Sequence, residues 1–341
     1  MLKKRTGLVL KNEILNRISE ALLLNSSFTD NLGLLNGKAG ISIFFYHLQF
    51  HTKIKIHKDY AGELLDEIYK EISSNTPVNL KDGLTGIGWC IEYLVRNGFV
   101  QADTDEVLSD IDKCVSSIRL DSPARTISED ELFSYGHYYI SRLQRRTLDD
   151  LKSLLKKYKF NLIIDEFEEI INHQNLLIKG QNSLKFEQLN YIIWFFLQCE
   201  KLGISSHEFR VIKEKSAKLL HNLQLESGDT EESMLLASFS DVLLNPINHN
   251  RNNYRKCKTQ KLYSQNNFNS KSELNFFLKH TWYRLIYKDY FAASYKKTDE
   301  ILASISDDEN WNTILNNLNK NNLGLNGLAG IGLGLLLSSN D

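Results

Sequence analysis

The sequence predicts an all-α fold, an α/α toroid of about seven helical hairpins in two concentric rings, with residues 1–341 as a single domain. Three observations predict it. A glycine cluster followed at once by an apolar run recurs along the chain. Only three prolines interrupt 341 residues rich in the helix formers Leu, Glu and Lys. Amphipathic segments alternate with segments that are apolar nearly all round.

The recurring cluster is Gly33-Leu34-Leu35-Asn36-Gly37-Lys38-Ala39-Gly40-Ile41. It returns near the other end as Gly324-Leu325-Asn326-Gly327-Leu328-Ala329-Gly330-Ile331. A third copy reads Gly83-Leu84-Thr85-Gly86-Ile87-Gly88-Trp89. Aligned on the shared Leu-x-Gly, the copies match Gly37, Gly86 and Gly327. The first two lie 49 residues apart and the outer two 290. Six steps of about 48 fill the longer interval and leave room for seven units. Between the clear copies the pattern is worn. Gly136, in Tyr135-Gly136-His137-Tyr138-Tyr139-Ile140, keeps a glycine and an apolar run. Segments 189–196, 234–237 and 278–282 keep register and apolar character without the glycine.

The helices follow from the same walk. Residues 10–24 place Leu10, Ile14, Ile18, Ala21 and Leu22 on one stripe. Residues 60–72 repeat the spacing through Leu64, Leu65, Ile68 and Tyr69, and 107–118 do so again. Each of these precedes a glycine motif, and each motif opens a more apolar helix: 41–50, 87–95, 138–143 and 328–337. A helix apolar on every side must be buried on every side, so each unit pairs a half-exposed helix with a buried one. An open solenoid ends in atypical polar caps. Here the end copies are the most alike, which predicts a ring whose last unit packs against its first.

The motif glycines Gly37, Gly40, Gly83, Gly86, Gly327 and Gly330 are expected to end one helix, to adopt positive φ and to permit close packing. Letting a peptide approach the backbone is the functional alternative. Asp30 and Asp82, just ahead of motifs, are expected to cap helices or turns. Residues 245–271, with Arg251, Arg255, Lys256, Lys258 and Lys261, are expected to form a surface insertion loop. That loop is solvated or, alternatively, touches an acidic peptide.

A net charge of −1 offers no footprint for nucleic acid or an anionic membrane. No run reaches the roughly 18 apolar residues of a membrane span. The first ten residues start like a signal peptide, but Lys11, Asn12 and Glu13 cut the apolar stretch short. Cys90, Cys114, Cys199 and Cys257 lie far apart, the usage of reduced thiols in a cytoplasm. Neither Gly-x-Gly-x-x-Gly after a strand nor Gly-Lys-Ser/Thr occurs, so no nucleotide loop is expected.

A Gly-Leu-x-Gly-x-x-Gly-Ile motif opening buried helices about every 50 residues resembles the lanthionine synthetase C-like (LanC-like) family. The match is clear over 34–46, 83–94 and 324–336, and the spacing extends it along the chain. The resemblance implies an α/α toroid. For the family's peptide cyclases it also implies a central zinc that activates a cysteine thiol, which adds to dehydroalanine or dehydrobutyrine and closes a thioether ring. The family's zinc ligands are a Cys in its fifth unit and a Cys-His pair in its sixth. The fifth register, around 233–236, has no cysteine here. The sixth falls on Lys279-His280-Thr281, where His280 holds the family's His position and Lys279 replaces its Cys. Zinc needs three protein ligands, so no family-type zinc site and no cofactor are expected.

The slot just before the motif glycine, where the family carries an acid/base His, holds Asn36, Thr85 and Asn326. They are candidate substrate-binding residues that cannot titrate. His137 and His280 are the candidate catalytic residues, with hydrogen-bonded packing as the alternative for each. Trp89-Cys90 is similar to the family's Trp-Cys but falls in the second unit, so Cys90 is expected to be a buried core thiol. The expected function is a zinc-less, cytoplasmic, LanC-like protein of lanthipeptide-type modification. It would bind a peptide substrate or a peptide-modifying enzyme rather than catalyse. One alternative is an active thioether cyclase with a rearranged site, with zinc if His137, His280 and Cys90 were to meet. Another is a different α/α-toroid enzyme, such as a carbohydrate-active one, which needs paired carboxylates; the clear motifs offer only Asp82.

Overall fold

In a computed structural model the chain is helical. The structure describes residues 2–117, 129–144, 160–172, 182–204, 206–226, 277–278, 281–282, 285–286, 298–319 and 321–338. No strand occurs among the described residues. Segments 234–237 and 245–271, Cys257 and His280 lie outside them.

Among the described residues the helices in chain order are α1 (Leu2–Asn25), α2 (Lys38–Thr52), α3 (Lys55–Glu71), α4 (Leu84–Arg96), α5 (Thr104–Val107), α6 (Ser109–Ser116) and α7 (Glu129–Leu143). They continue as α8 (Phe160–Asn172), α9 (Asn182–Lys201), α10 (Ser206–Glu226), α11 (Thr298–Ser306), α12 (Asp308–Asn316) and α13 (Leu328–Leu337). The chain divides into two compact units. One comprises Met1–Ile111, Phe268–Ile286 and Ala293–Asp341; the other comprises Asp112–Asn267 and Tyr287–Ala292.

In the first unit, α1 buries Ile14, Ile18, Ala21 and Leu22 of the stripe its spacing predicts, together with Leu15, while Leu10 of that stripe is half-buried. It packs on α11 and α13. Helices α2 and α3 form a hairpin. Lys53 turns the chain between them at φ 60°, in the left-handed region, and its N–H donates to Gln49 O at 2.7 Å. The buried face of α3 is His57, Ala61, Leu64 and Ile68, spaced four, three and four apart. Tyr69, assigned to that face by sequence, is 69% exposed, because it lies one position round the helix from Ile68.

Helix α2 is buried from Lys38 to Tyr46 and again at Leu48. Its Phe45 ring meets Tyr60 of α3 edge-on, centroids 4.9 Å apart. Lys38, buried in the first turn, bonds Glu71 at 2.9 Å and Glu67 at 3.1 Å. Burial pushes the ammonium's pKa down, but the hydrogen bonds to Glu71 and Glu67 outweigh it and the net shift is upward.

Helix α13 is buried from Leu328 to Leu336. A Cβ at Gly332 would strike the Phe44 ring of α2, and one at Gly334 would strike Thr281 and Phe277. Interior glycines cost a helix roughly 0.5–1 kcal/mol each relative to Ala; close helix packing is what they permit in return.

The second unit holds α7 to α10. Gly136 does not open a helix, contrary to the sequence expectation; it sits inside α7. A Cβ there would collide with the Tyr191 hydroxyl, which donates to Phe133 O at 3.1 Å. Gly136 is therefore a seat for an aromatic side chain. Segment 189–196 of α9 is buried throughout. Arg142, 1% exposed, forks onto Asp112 with Nη2–Oδ2 at 2.8 Å and Nε–Oδ1 at 3.2 Å, and Tyr138 donates to Asp112 Oδ1 at 2.6 Å. These bonds satisfy a buried charge pair that would otherwise be costly.

Candidate functional site

The three clear motifs all lie in the first unit, and each forms the same local structure. A loop runs into a glycine N-cap, and the first helical N–H donates back to the loop. Lys38 N–H donates to Asn31 O at 2.9 Å, Leu84 N–H to Pro77 O at 2.8 Å and Leu328 N–H to Asn322 O at 3.0 Å. The caps are Gly37 (φ −135°, ψ −158°), Gly83 (φ −136°, ψ −161°) and Gly327 (φ −146°, ψ −133°).

This matching corrects the sequence alignment of the second copy by three residues. Gly83, not Gly86, is the partner of Gly37 and Gly327. Gly86 corresponds to Gly40 and Gly330, one turn inside. The residue before the cap glycine is therefore Asn36, Asp82 or Asn326, and Thr85 falls where Ala39 and Ala329 stand. Thr85 is fully buried, and its hydroxyl donates to Val78 O at 2.6 Å. It is an internal cap rather than a surface group.

The caps also correct the expectation of positive φ. Among the described residues only Gly98, Gly203 and Lys53 have it. The motif glycines serve close approach instead. A side chain at Gly33 would enter the Asp82 backbone, and one at Gly324 would sit 2.6 Å from Leu35 O. The loops can touch because these positions carry no Cβ.

They touch in a row. Leu35 N–H donates to Lys81 O at 2.9 Å, and Asn326 N–H donates to Leu35 O at 2.7 Å. The side chains continue it. Asp82 Oδ1 accepts from Asn31 Nδ2 at 2.7 Å and from Asn36 Nδ2 at 2.8 Å. Asn326 Nδ2 reaches Asn36 Oδ1 at 3.4 Å. Asn31 Oδ1 accepts the Gly33 N–H at 2.9 Å, holding its own loop. Asn326 is exposed, and Asn31, Asn36 and Asp82 are partly exposed. The expected pair Asn36 and Asn326 is brought together, Thr85 is not, and Asp82 and Asn31 are the members that sequence reasoning missed. Asp82 is a cross-loop acceptor rather than the cap it was expected to be. The signal for it was available: like Asn36 and Asn326, it immediately precedes a glycine.

Chemically the row offers amide donors and acceptors with one carboxylate at its end. The helix N-termini beneath it are closed, since their first amides already donate to loop carbonyls, so they do not make an anion site.

The other candidates sit elsewhere. His137 lies in the second unit, 4% exposed, with its ring 4.4 Å from Tyr191 and 4.9 Å from Trp194. Burial pushes its pKa down to about 3, so the imidazole is neutral. Cys90 is fully buried in the first unit, with Sγ 3.4 Å from Ala39 O and 3.7 Å from Ser42 Oγ. Burial pushes its thiol up to about 12, which suits a core thiol and not a nucleophile. Cys199 is buried with its pKa pushed up by the same cause, and Cys114 is exposed; the three are free thiols. No helix among the described residues is long and apolar enough to cross a membrane.

No family model, no curated protein and no solved structure matches the chain.

Proposed function

We propose that the chain is a LanC-like α/α toroid of a lanthipeptide-type modification system that binds a peptide substrate or a peptide-modifying enzyme. The observation that carries this reading is the row Asn326–Asn36–Asp82, one residue from each motif loop at the same position before its cap glycine. The contact of the last motif with the first supports the ring, in which the final hairpin packs on the initial one. Asn side chains present a donor and an acceptor together, the pairing an extended peptide backbone needs.

A second reading rests on Asp82. The corrected register puts a titratable group in the slot that the resemblance reserves for an acid/base residue. A thioether cyclase with a rearranged site would use that carboxylate rather than His137.

Titration of a panel of Cys-, Ser- and Thr-rich peptides against the purified chain tests the first reading. Asn36→Ala with Asn326→Ala should weaken binding about 30-fold, at roughly 1 kcal/mol for each of two lost hydrogen bonds, while Thr85→Val leaves it alone. A chain that binds no peptide of the panel overturns the reading. Zinc content by elemental mass spectrometry after zinc loading and desalting, with thioether formation on a dehydrated peptide, separates the second. One zinc per chain, with product formation lost in Asp82→Asn, selects the cyclase.

A further inference from the structure

We propose that the tip of the α2–α3 hairpin docks on an anionic lipid surface. Phe50, Ile54 and Ile56 are 65%, 49% and 67% exposed, three large apolar side chains within seven residues. Isolated exposed apolar residues are ordinary; a cluster on a turn is not. They alternate with Lys53, Lys55 and Lys58, all exposed. Lys53 Nζ lies 4.0 Å over the Phe50 ring, so ammonium and aromatic ring share one location. Among the described residues, only Lys55 of the three has an acidic partner nearby, Asp59 at 3.7 Å.

Helix α1 reaches the same place. His51 Nε2 lies 3.3 Å from Asn12 Oδ1, and Val9, one turn before Asn12, is 66% exposed. Segment 50–58 contains three Lys residues and no Asp or Glu. The chain's net charge of −1 is a sum that conceals this local excess.

The occupant follows from shape and chemistry. Side chains about half or more exposed on a helix-to-helix turn stand off the surface rather than line a groove. An acidic peptide would meet the lysines but leave the Phe and Ile tips in water. The interface of an anionic bilayer accepts both, with apolar tips among the acyl chains and lysine heads at the phosphates.

The test is co-sedimentation of the full chain with phosphatidylcholine vesicles, with and without phosphatidylglycerol. Binding is expected only with phosphatidylglycerol, and it should fall as salt screens the charges. Lys53→Gln, Lys55→Gln and Lys58→Gln together should lower partitioning about 100-fold. Phe50→Ser, Ile54→Ser and Ile56→Ser together should lower it about tenfold or more. Circular dichroism and the melting temperature confirm that each triple variant is folded, as expected for exposed positions. Equal binding to neutral vesicles, binding to neither kind, or folded variants that bind like the parent overturns the proposal. Saturable capture of a Glu-rich apolar peptide without vesicle binding also overturns it and assigns the patch to a protein partner.

Discussion

Asn36 Nδ2 donates to Asp82 Oδ1 at 2.8 Å, joining two motif loops that lie 46 residues apart in the chain. The same oxygen holds Asn31. Asp82 therefore ties two loops while remaining partly exposed. Asp82→Ala should leave two amides without an acceptor and cost about 1–3 kcal/mol, read by urea unfolding. Asn326→Ala, at an exposed position, should cost less than about 0.5 kcal/mol while still weakening peptide binding. Equal destabilisation by both would show that the row is merely structural.

Gly33 and Gly62 make a paired test of close approach. A Cβ at Gly33 would overlap the Asp82 backbone, whereas one at Gly62 meets only the Tyr46 hydroxyl at 4.0 Å. Gly33→Ala should destabilise by about 2 kcal/mol or more through loop displacement. Gly62→Ala, inside α3, should stabilise by about 0.5–1 kcal/mol through helix propensity. Thermal melts of the two variants should therefore move in opposite directions.

His137 should make stability depend on pH. Its folded pKa, about 3, lies below the unfolded value near 6.5. Between those values the unfolded chain binds the extra proton, so stability is full above pH 6.5 and is lost as pH falls toward 3. The slope from this residue is at most about 1.4 kcal/mol per pH unit. His137→Phe should flatten the curve of urea midpoint against pH between 6.5 and 4. An unchanged slope would mean that the imidazole is not buried and neutral.

The thiols should separate by accessibility. In a Cys257→Ser background, a thiol-reactive dye should label Cys114 in the native protein. Cys90 and Cys199, buried with raised pKa values, should react only on unfolding. Cys90→Ala should leave peptide binding intact. Rapid native labelling of Cys90 would reopen its role as a nucleophile.

Lys38 should contribute a tie between α2 and α3 at neutral pH. Its folded pKa is raised, so that contribution is complete below the unfolded value near 10.5 and is lost as pH rises through the folded value. Lys38→Met should cost about 1–2 kcal/mol at pH 7, and the difference from the parent protein should narrow in strong alkali.

The helical class and the buried character of α2, α4 and α13 were legible in the sequence, because glycine motifs and all-round apolar runs are local signals. The adjacency of the first and last motifs was also legible, because only those copies kept Leu-Asn-Gly-x-Ala-Gly-Ile. The register of the second copy was not. Leu35 and Leu325 precede their cap glycines, whereas Leu84 follows Gly83, so the same Leu-x-Gly lies on opposite sides of the helix start. Only the backbone hydrogen bond from Leu84 to Pro77 O decides that. It moves the candidate role from Thr85 to Asp82.

By itself the sequence determined the helical class, which runs are apolar on every side and where glycine recurs beside them, since periodicity and glycine act over a few residues. The tertiary structure alone decided which glycine caps which helix, that Asp82 joins Asn36, that His137 is enclosed by aromatic rings, and that Phe50, Ile54 and Ile56 face out. Those outcomes depend on contacts between segments distant in the chain, whose distances and burial no local pattern encodes.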